Sequence, residues 1–523
     1  MKKKFLKTVA FLMAAVLVFT LTACGVEKDT GENDVNSLTY WVPMPSDLAT
    51  RVSSFNEISM YKKREADTGI HINFVHPPND QAAEQFKLMI ASGDLPDIIE
   101  YNWSAYTGGL QQAIKDGIVL PLNDYLDYAP NFKAALEKGE LAENYRRGST
   151  TDDGYLYGFT TLNIGEYRIF GGPLIRRDWL NKIGMEIPET IDEWTAVLTA
   201  FKEKLNVPTP LTGAGAPSHF VGAFGIGSGW YVDNDIIKYG PAQPEFKGYL
   251  QTMHDWYEKG LLDRDIATNT TELKDSKILK GQAGALTVGN IGGSIGKYLK
   301  QKETEDPSYD IVGAPFPVLE KGTVNRFAIP NALDVNKTRT AVITTACKNP
   351  EVAIKWLDYL YSDEGYMLSN FGVEGEDYTL VDGKPVYSDF ILHNPEGLSI
   401  SSAIKLCCRA TEPFPGLNQA PEYLEQYYEY PQQTETLKRW VANTAETKKS
   451  SLPALSSQGD EADLVASIKA DLDTYSEEML WAFITGKESL DKFDEYIDNI
   501  NKKFRCKELQ AIYQKQYERY LKR

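Results

Sequence analysis

Near the start of the chain, short segments alternate between strand and helix character, and this alternation constrains the fold more than any other feature. Residues 38–42 form an apolar-aromatic run of strand length, residues 53–68 carry a helical pattern closed by Gly69, and residues 71–75 again read as a strand. A second helix is expected over 80–92, stopping at Gly93, and residues 97–100 give a third apolar strand. Glycine just past each helical run fits the left-handed residue that ends many helices. Parallel strands need a crossover long enough to hold a helix, so this order predicts a parallel sheet and an α/β fold class. Ligands of open parallel sheets sit beyond the carboxyl ends of the strands, which is where Trp41 and the trio Tyr101, Asn102 and Trp103 would fall.

At 523 residues the chain exceeds what one core usually holds, so two lobes are expected. After Pro188, Thr190 can cap a helix while Glu193 closes a capping box, and Trp194, Leu198 and Phe201 follow on one face. Trp194 therefore reads as core, as do Trp256, Trp356 and Trp481 in helix-like stretches. Ile468, Leu472, Tyr475, Met479 and Phe483 mark a further buried stripe ahead of Gly486, and helices dominate the last third of the chain. No repeat of solenoid length is present.

The first residues read differently. Lys2, Lys3, Lys4 and Lys7 precede an apolar run over 9–21, too short to span a membrane as a helix and suited to the h-region of a signal peptide over 1–23. The quartet Leu21, Thr22, Ala23, Cys24 resembles a lipobox, which makes Cys24 the expected lipid-bearing residue on the extracytoplasmic face of the cell membrane. Residues 24–37 are polar and acidic and read as a flexible tether. Loss of the signal removes four lysines and no acids, taking the net charge from −18 to −22. So acidic a chain, without a basic run, argues against nucleic acid and against electrostatic docking on an anionic membrane. Cys347, Cys407, Cys408 and Cys506 are too scattered for a disulfide scaffold, though one or two bridges stay open.

Catalytic patterns are sparse. His71 and His76 lie five apart on a presumed strand and so face opposite ways, while His219, His254 and His393 stand alone. The glycine-rich patches at 213–215, 225–229 and 289–296 match neither a P-loop nor a dinucleotide fingerprint, and no GxSxG elbow occurs. Among 73 acidic residues some carboxylate pair is inevitable, so a surface glycoside hydrolase stays as the rival enzyme reading. The excess of tyrosine, 30 residues, suits sugar faces and ordinary cores alike.

Several stretches together resemble bacterial extracellular solute-binding proteins of ABC importers, in particular a large lipoprotein subgroup linked to oligosaccharide uptake. They are the run from Ala91 to Ile99 (ASGDLPDII); Arg177, Asp178, Trp179 and Leu180 followed by Pro188 to Trp194 (PETIDEW); and Tyr257 to Asp263 (YEKGLLD). Residues 350–380 and the tail from Phe483 to Tyr520 continue the likeness. The resemblance implies a two-lobed periplasmic-binding-protein-like fold with an interlobe cleft and a hinge, holding a small carbohydrate, acting as a monomer without catalysis or cofactor, and presenting the ligand to permease subunits. Lobe I is expected from 38–150 plus about 281–345, and lobe II from 151–280 plus about 346–523. Some relatives carry an EF-hand-like calcium loop after the helix holding Trp194; residues 203–210 here (EKLNVPTP) lack its alternating oxygen ligands, so no metal is expected there.

Binding residues are not carried by those framework motifs. Position and chemistry nominate Trp41, Asn102 and Trp103 after strands, Tyr167 in NIGEYRIFGG, Trp230 and Tyr231 after a glycine patch, Asn290 after an apolar run, and Phe316 in APFP. Each has an alternative as a buried or merely exposed side chain. A ligand-sensing co-receptor for a membrane kinase is the third reading.

Overall fold

The computed structural model describes residues 36–165, 169–328, 334–458 and 460–523, and Cys24, the signal segment and most of the tether lie outside them. In chain order the strands are β1 (Ser37–Trp41), β2 (His71–Val75), β3 (Ile98–Tyr101), β4 (Phe159–Asn163), β5 (Gly171–Arg176), β6 (Leu211–Thr212), β7 (Trp230–Asp233), β8 (Ile236–Tyr239), β9 (Ala285–Asn290), β10 (Ile311–Gly313), β11 (Val335–Ile343), β12 (Tyr378–Val381), β13 (Lys384–Tyr387) and β14 (Gly416–Asn418).

The opening forms as its periodicity dictates. Helices Ser59–Thr68 and Ala82–Ser92 end at left-handed Gly69 and Gly93, and β1 pairs parallel with β3, Tyr40 opposite Ile98. The largest boundary difference in this opening is in the helix expected from 53, which starts at Ser59. A capping box between Ser54 and Glu57 closes a separate 3-10 turn at Phe55–Glu57, and extended Ile58 breaks the run.

The first sheet has the order β14-β4-β11-β3-β1-β2, and the second β10-β5-β9-β6. The chain is thus a two-lobed α/β protein that passes from the first sheet to the second between β4 and β5 and returns between β10 and β11. After β14 it leaves again, into helix Pro431–Val441, which packs on β10 of the second sheet. This corrects the expected lobe limits. Within 281–345, β9 and β10 belong to the second sheet, whereas β4, expected in lobe II, lies in the first. Much of 346–430 also packs on the first sheet: β14 pairs with β4, and Arg409 ion-pairs with Glu100 on β3. Strand partnership is decided by pairing across long sequence separations, which local periodicity does not encode.

The second sheet is covered on both faces. Leu174, Leu286 and Ile311 share a core with Trp440, whose indole N–H donates to the Ala314 carbonyl at 2.7 Å. Ile175, Ala285 and Val312 belong to the other core, with Trp194, Trp256 and the helices Glu461–Ile484, Phe493–Lys502 and Cys506–Leu521. Trp194, Trp256 and Trp356 are buried as expected, while Trp481 is half-buried. Cys347, Cys407, Cys408 and Cys506 are free thiols. Among the described residues no helix is long and apolar enough to cross a membrane.

The Thr190 cap forms in full: its hydroxyl accepts from the Glu193 amide at 3.1 Å, and the Glu193 carboxylate accepts from the Thr190 amide at 3.1 Å. Thr190→Ala is expected to cost about 1 kcal/mol. Chemical denaturation with an unchanged m-value checks this.

Candidate functional site

The carboxyl end of β3 builds the first wall of the main cavity. Asn102 turns the chain there, because its side-chain oxygen accepts from the Ser104 amide at 3.1 Å and hydroxyl at 2.8 Å, capping a 3-10 turn at Trp103–Ala105. Gly108 and Gly109, both with positive φ, then lead into helix Gly109–Lys115. Asn163 at the end of β4 and Asn336, Lys337 and Thr338 of β11 form a second wall, where the β4–β11 register breaks between Asn336 and Ala341. The segment from Leu452 to Ser457 and the first turns of helix Glu461–Ile484, which packs in the second lobe, close the third side.

These elements enclose about 790 Å³, within the range of small-molecule sites. A groove of about 680 Å³ adjoins it, sharing Ala105, Tyr106, Thr107, Gly108, Ser457 and Ala462, so together they form one continuous trough. Tyr106 stands at the junction and donates its hydroxyl to Asp116 at 2.6 Å. Burial and that carboxylate push its phenol up to about 12, so it stays a neutral hydrogen-bonding group. Tyr157 underlies Lys337, whose Nζ is 5.2 Å from the ring centroid. Burial first, and Arg523 second, lower the Lys337 amine to about 7.

Among the described residues, the cavity brings together two of the nominated ones, Asn102 and Trp103. Trp103 supports the wall more than it offers a face: it is 2% exposed, packs edge-on to Phe86 at 5.3 Å, and its indole N–H finds no partner among the described residues. Trp41 is buried behind it, edge-on to Tyr101. Trp230 and Tyr231 lie on the β7–β8 hairpin in the second-lobe core, Trp230 against Tyr239 and Tyr513, Tyr231 against Phe327. Phe316 is buried between His219 and Trp440. Asn290 is exposed where β9 ends and is not among the lining residues. Tyr167 lies outside the described residues. Of the eight candidates, Trp41, Trp230, Tyr231, Asn290 and Phe316 do not line this cavity: the aromatic ones take their alternative as core side chains, where their large apolar area is best spent, and Asn290 takes its alternative as an exposed one.

Tyr106, Tyr157 and Lys337 were missed. The first follows Trp103 by three residues beyond the same strand end, so the positional rule that nominated Trp103 also covers it. Lys337 had no local signal. Among the described residues no three His, Cys, Asp or Glu side chains are grouped to hold a metal ion.

The family model for bacterial extracellular solute-binding proteins matches residues 47–367. The fructooligosaccharide ABC transporter substrate-binding protein FusA of Streptococcus pneumoniae is 28% identical over 413 residues, 72% of either chain. Lipoprotein LipO of Bacillus subtilis is 25% identical over 400 residues, covering 73% of this chain and 75% of its own. Among solved structures, an HMO-binding, ABC-transporter-associated solute-binding protein from Bifidobacterium longum infantis shares the fold with a TM-score of 0.72 at 18% identity, over 92% of this chain and 99% of its own.

Proposed function

The chain belongs to the bacterial extracellular solute-binding proteins, and from that premise we propose that it captures an oligosaccharide in the trough and delivers it to the permease of an ABC importer. The observation that carries this reading is the polar part of the main cavity's lining: amides, hydroxyls, tyrosine rings and one amine set among apolar side chains such as Leu110, Val335 and Leu452, with no carboxylate among its described residues. Amide and hydroxyl groups meet the paired hydroxyls of a sugar, and tyrosine offers an apolar surface with a polar rim. A glycoside hydrolase works with two carboxylates flanking the bond it cuts, and the main cavity's described lining supplies none; the adjoining groove carries Asp116 and Asp463, of which Asp116 accepts from the Tyr106 hydroxyl. The space of the cavity and its adjoining groove supports a chain of more than one sugar unit, and FusA, by its name, binds fructooligosaccharide. In this reading Asn102, Tyr106 and Lys337 contact ligand, and Trp103 holds the wall behind them. A lipid on Cys24 keeps the protein beside its permease, and LipO is itself named a lipoprotein.

Incubation of residues 24–523 with neutral and acidic oligosaccharides tests the proposal. A bound sugar at a hundred times its dissociation constant stabilises the native state by about 2.7 kcal/mol and raises the melting temperature, with no new reducing ends. Release of shorter sugars, or no shift with any member, would sink the reading. Tyr106→Ala is expected to weaken binding by about tenfold, roughly 1.4 kcal/mol, through loss of a ring face and a hydroxyl. Calorimetric titration with whichever sugar gives the shift checks this.

A further inference from the structure

Resting on that reading, we propose that the sugar carries a carboxylate, as a uronic acid unit does, and that Lys337 is the residue that meets it.

The chain holds 73 acidic residues against 55 basic ones, yet Lys337 is the one charged side chain among the described residues lining the main cavity. It stands where the ladder between β4 and β11 is interrupted, half-buried over Tyr157, with neither an ion pair nor a hydrogen-bond partner for its amine among the described residues. The charged groups facing it are Arg523, which follows helix Cys506–Leu521, and Asp152, from the loop before β4. Asp152 does not serve as its counter-ion, because Arg519 and Arg523 already hold that carboxylate. Lys337 thus sits on the positive side of a satisfied cluster and borders an acid-free cavity.

A half-buried ammonium without a counter-ion costs free energy, which is relieved by losing the proton or by gaining an anion. Without ligand the first outcome dominates above neutrality, in keeping with an amine lowered to about 7. A ligand carboxylate supplies the missing charge and restores the proton. Neutral sugars can accept a hydrogen bond from Lys337 but leave the charge deficit in place.

The sign of the linkage follows. The carboxylate favours the ammonium, so the bound-state pKa lies above the free-state value. Affinity for an acidic sugar is complete below about 7 and falls by about tenfold per pH unit above it, until the bound-state pKa is reached. At pH 7 binding draws about half a proton from the buffer.

Calorimetric titration with matched pairs of oligosaccharides, galacturonate with galactose, mannuronate with mannose and glucuronate with glucose, is the test. One acidic member is expected to bind at least tenfold tighter than its neutral counterpart at pH 6, with the stated slope above neutrality and with heats that vary with buffer ionisation enthalpy. Lys337→Gln is expected to remove that preference and the slope, so that the acidic and neutral members of the pair bind alike at every pH. Should the variant misfold, the pH slope and proton uptake of the unmodified protein still decide. Equal affinity within every pair, or a flat pH profile for the acidic member, overturns the uronate inference and leaves sugar capture standing. Failure of every sugar to bind overturns the reading beneath it.

Discussion

Replacing Arg409 with alanine is expected to lower stability by about 3–5 kcal/mol at neutral pH, because it strands a buried carboxylate. Glu100 of β3 is 1% exposed and Arg409 is 4% exposed. The guanidinium donates to the carboxylate at 2.8 Å and to the Tyr61 hydroxyl at 3.1 Å, while the Tyr40 hydroxyl donates to the same carboxylate at 2.8 Å. Burial pushes the Glu100 carboxyl up, but Arg409 and these hydrogen bonds outweigh it and hold the carboxyl below its ordinary value. A depressed carboxylate adds stability above its unfolded pKa, of about 4.3, and that contribution is lost as pH falls through the lower folded value. In Arg409→Ala the same carboxyl is raised instead, so acid relieves the variant while it weakens the parent. The gap between their denaturation midpoints should therefore narrow from pH 7 towards pH 4. A gap that widens with acid would show that the pair is not the source of the effect. Replacing both partners, Glu100→Leu with Arg409→Met, is expected to recover most of the loss, since an apolar pair of similar volume avoids the desolvation cost of two ions.

Asp152→Ala is expected to cost a comparable amount, about 3–5 kcal/mol, for a different geometric reason. Asp152 lies in the first lobe, in the loop before β4, while Arg519 lies on the C-terminal helix of the second and Arg523 just follows it. The Asp152 carboxylate accepts from Arg519 Nε and from Arg523 Nε, each at 2.8 Å, and the Asp152 and Arg523 side chains are fully buried. Arg523 also reaches the Thr150 carbonyl and the Ser456 hydroxyl at 2.8 Å. Removing the aspartate leaves Arg519 with Glu461, at 2.7 Å, but deprives Arg523 of its only paired carboxylate among the described residues. Because Ser456 belongs to the segment that closes the cavity, faster hydrogen exchange over 452–458 should accompany the loss, together with weaker sugar binding. An unchanged denaturation midpoint would mean that the cluster behaves like a surface ion pair, whose worth is about 0–1 kcal/mol.

These two clusters also explain the division between what periodicity reveals and what it hides. Helix stops at Gly69 and Gly93, the Thr190–Glu193 cap and the burial of Trp194 were legible, because each depends on residues within about four positions. The parallel opening was legible for the same reason, and position beyond β3 brought Asn102 and Trp103 to the cavity wall. Trp230 and Phe316 carried the same local signals but face cores, since nothing nearby in sequence says which side of a strand or loop meets solvent.

Taken alone, the sequence determined the fold class, the family likeness and the acidic character of the chain. Only the tertiary structure decided which lobe each later segment joins and which side chains share the cavity. Arg409 lies 309 residues from Glu100, and Arg523 lies 371 from Asp152. Lys337 meets Tyr157 only because β11 returns to the first sheet after the chain has built much of the second. Contacts of that range are selected by the packing of whole sheets, whereas caps and periodicity are written into neighbouring residues.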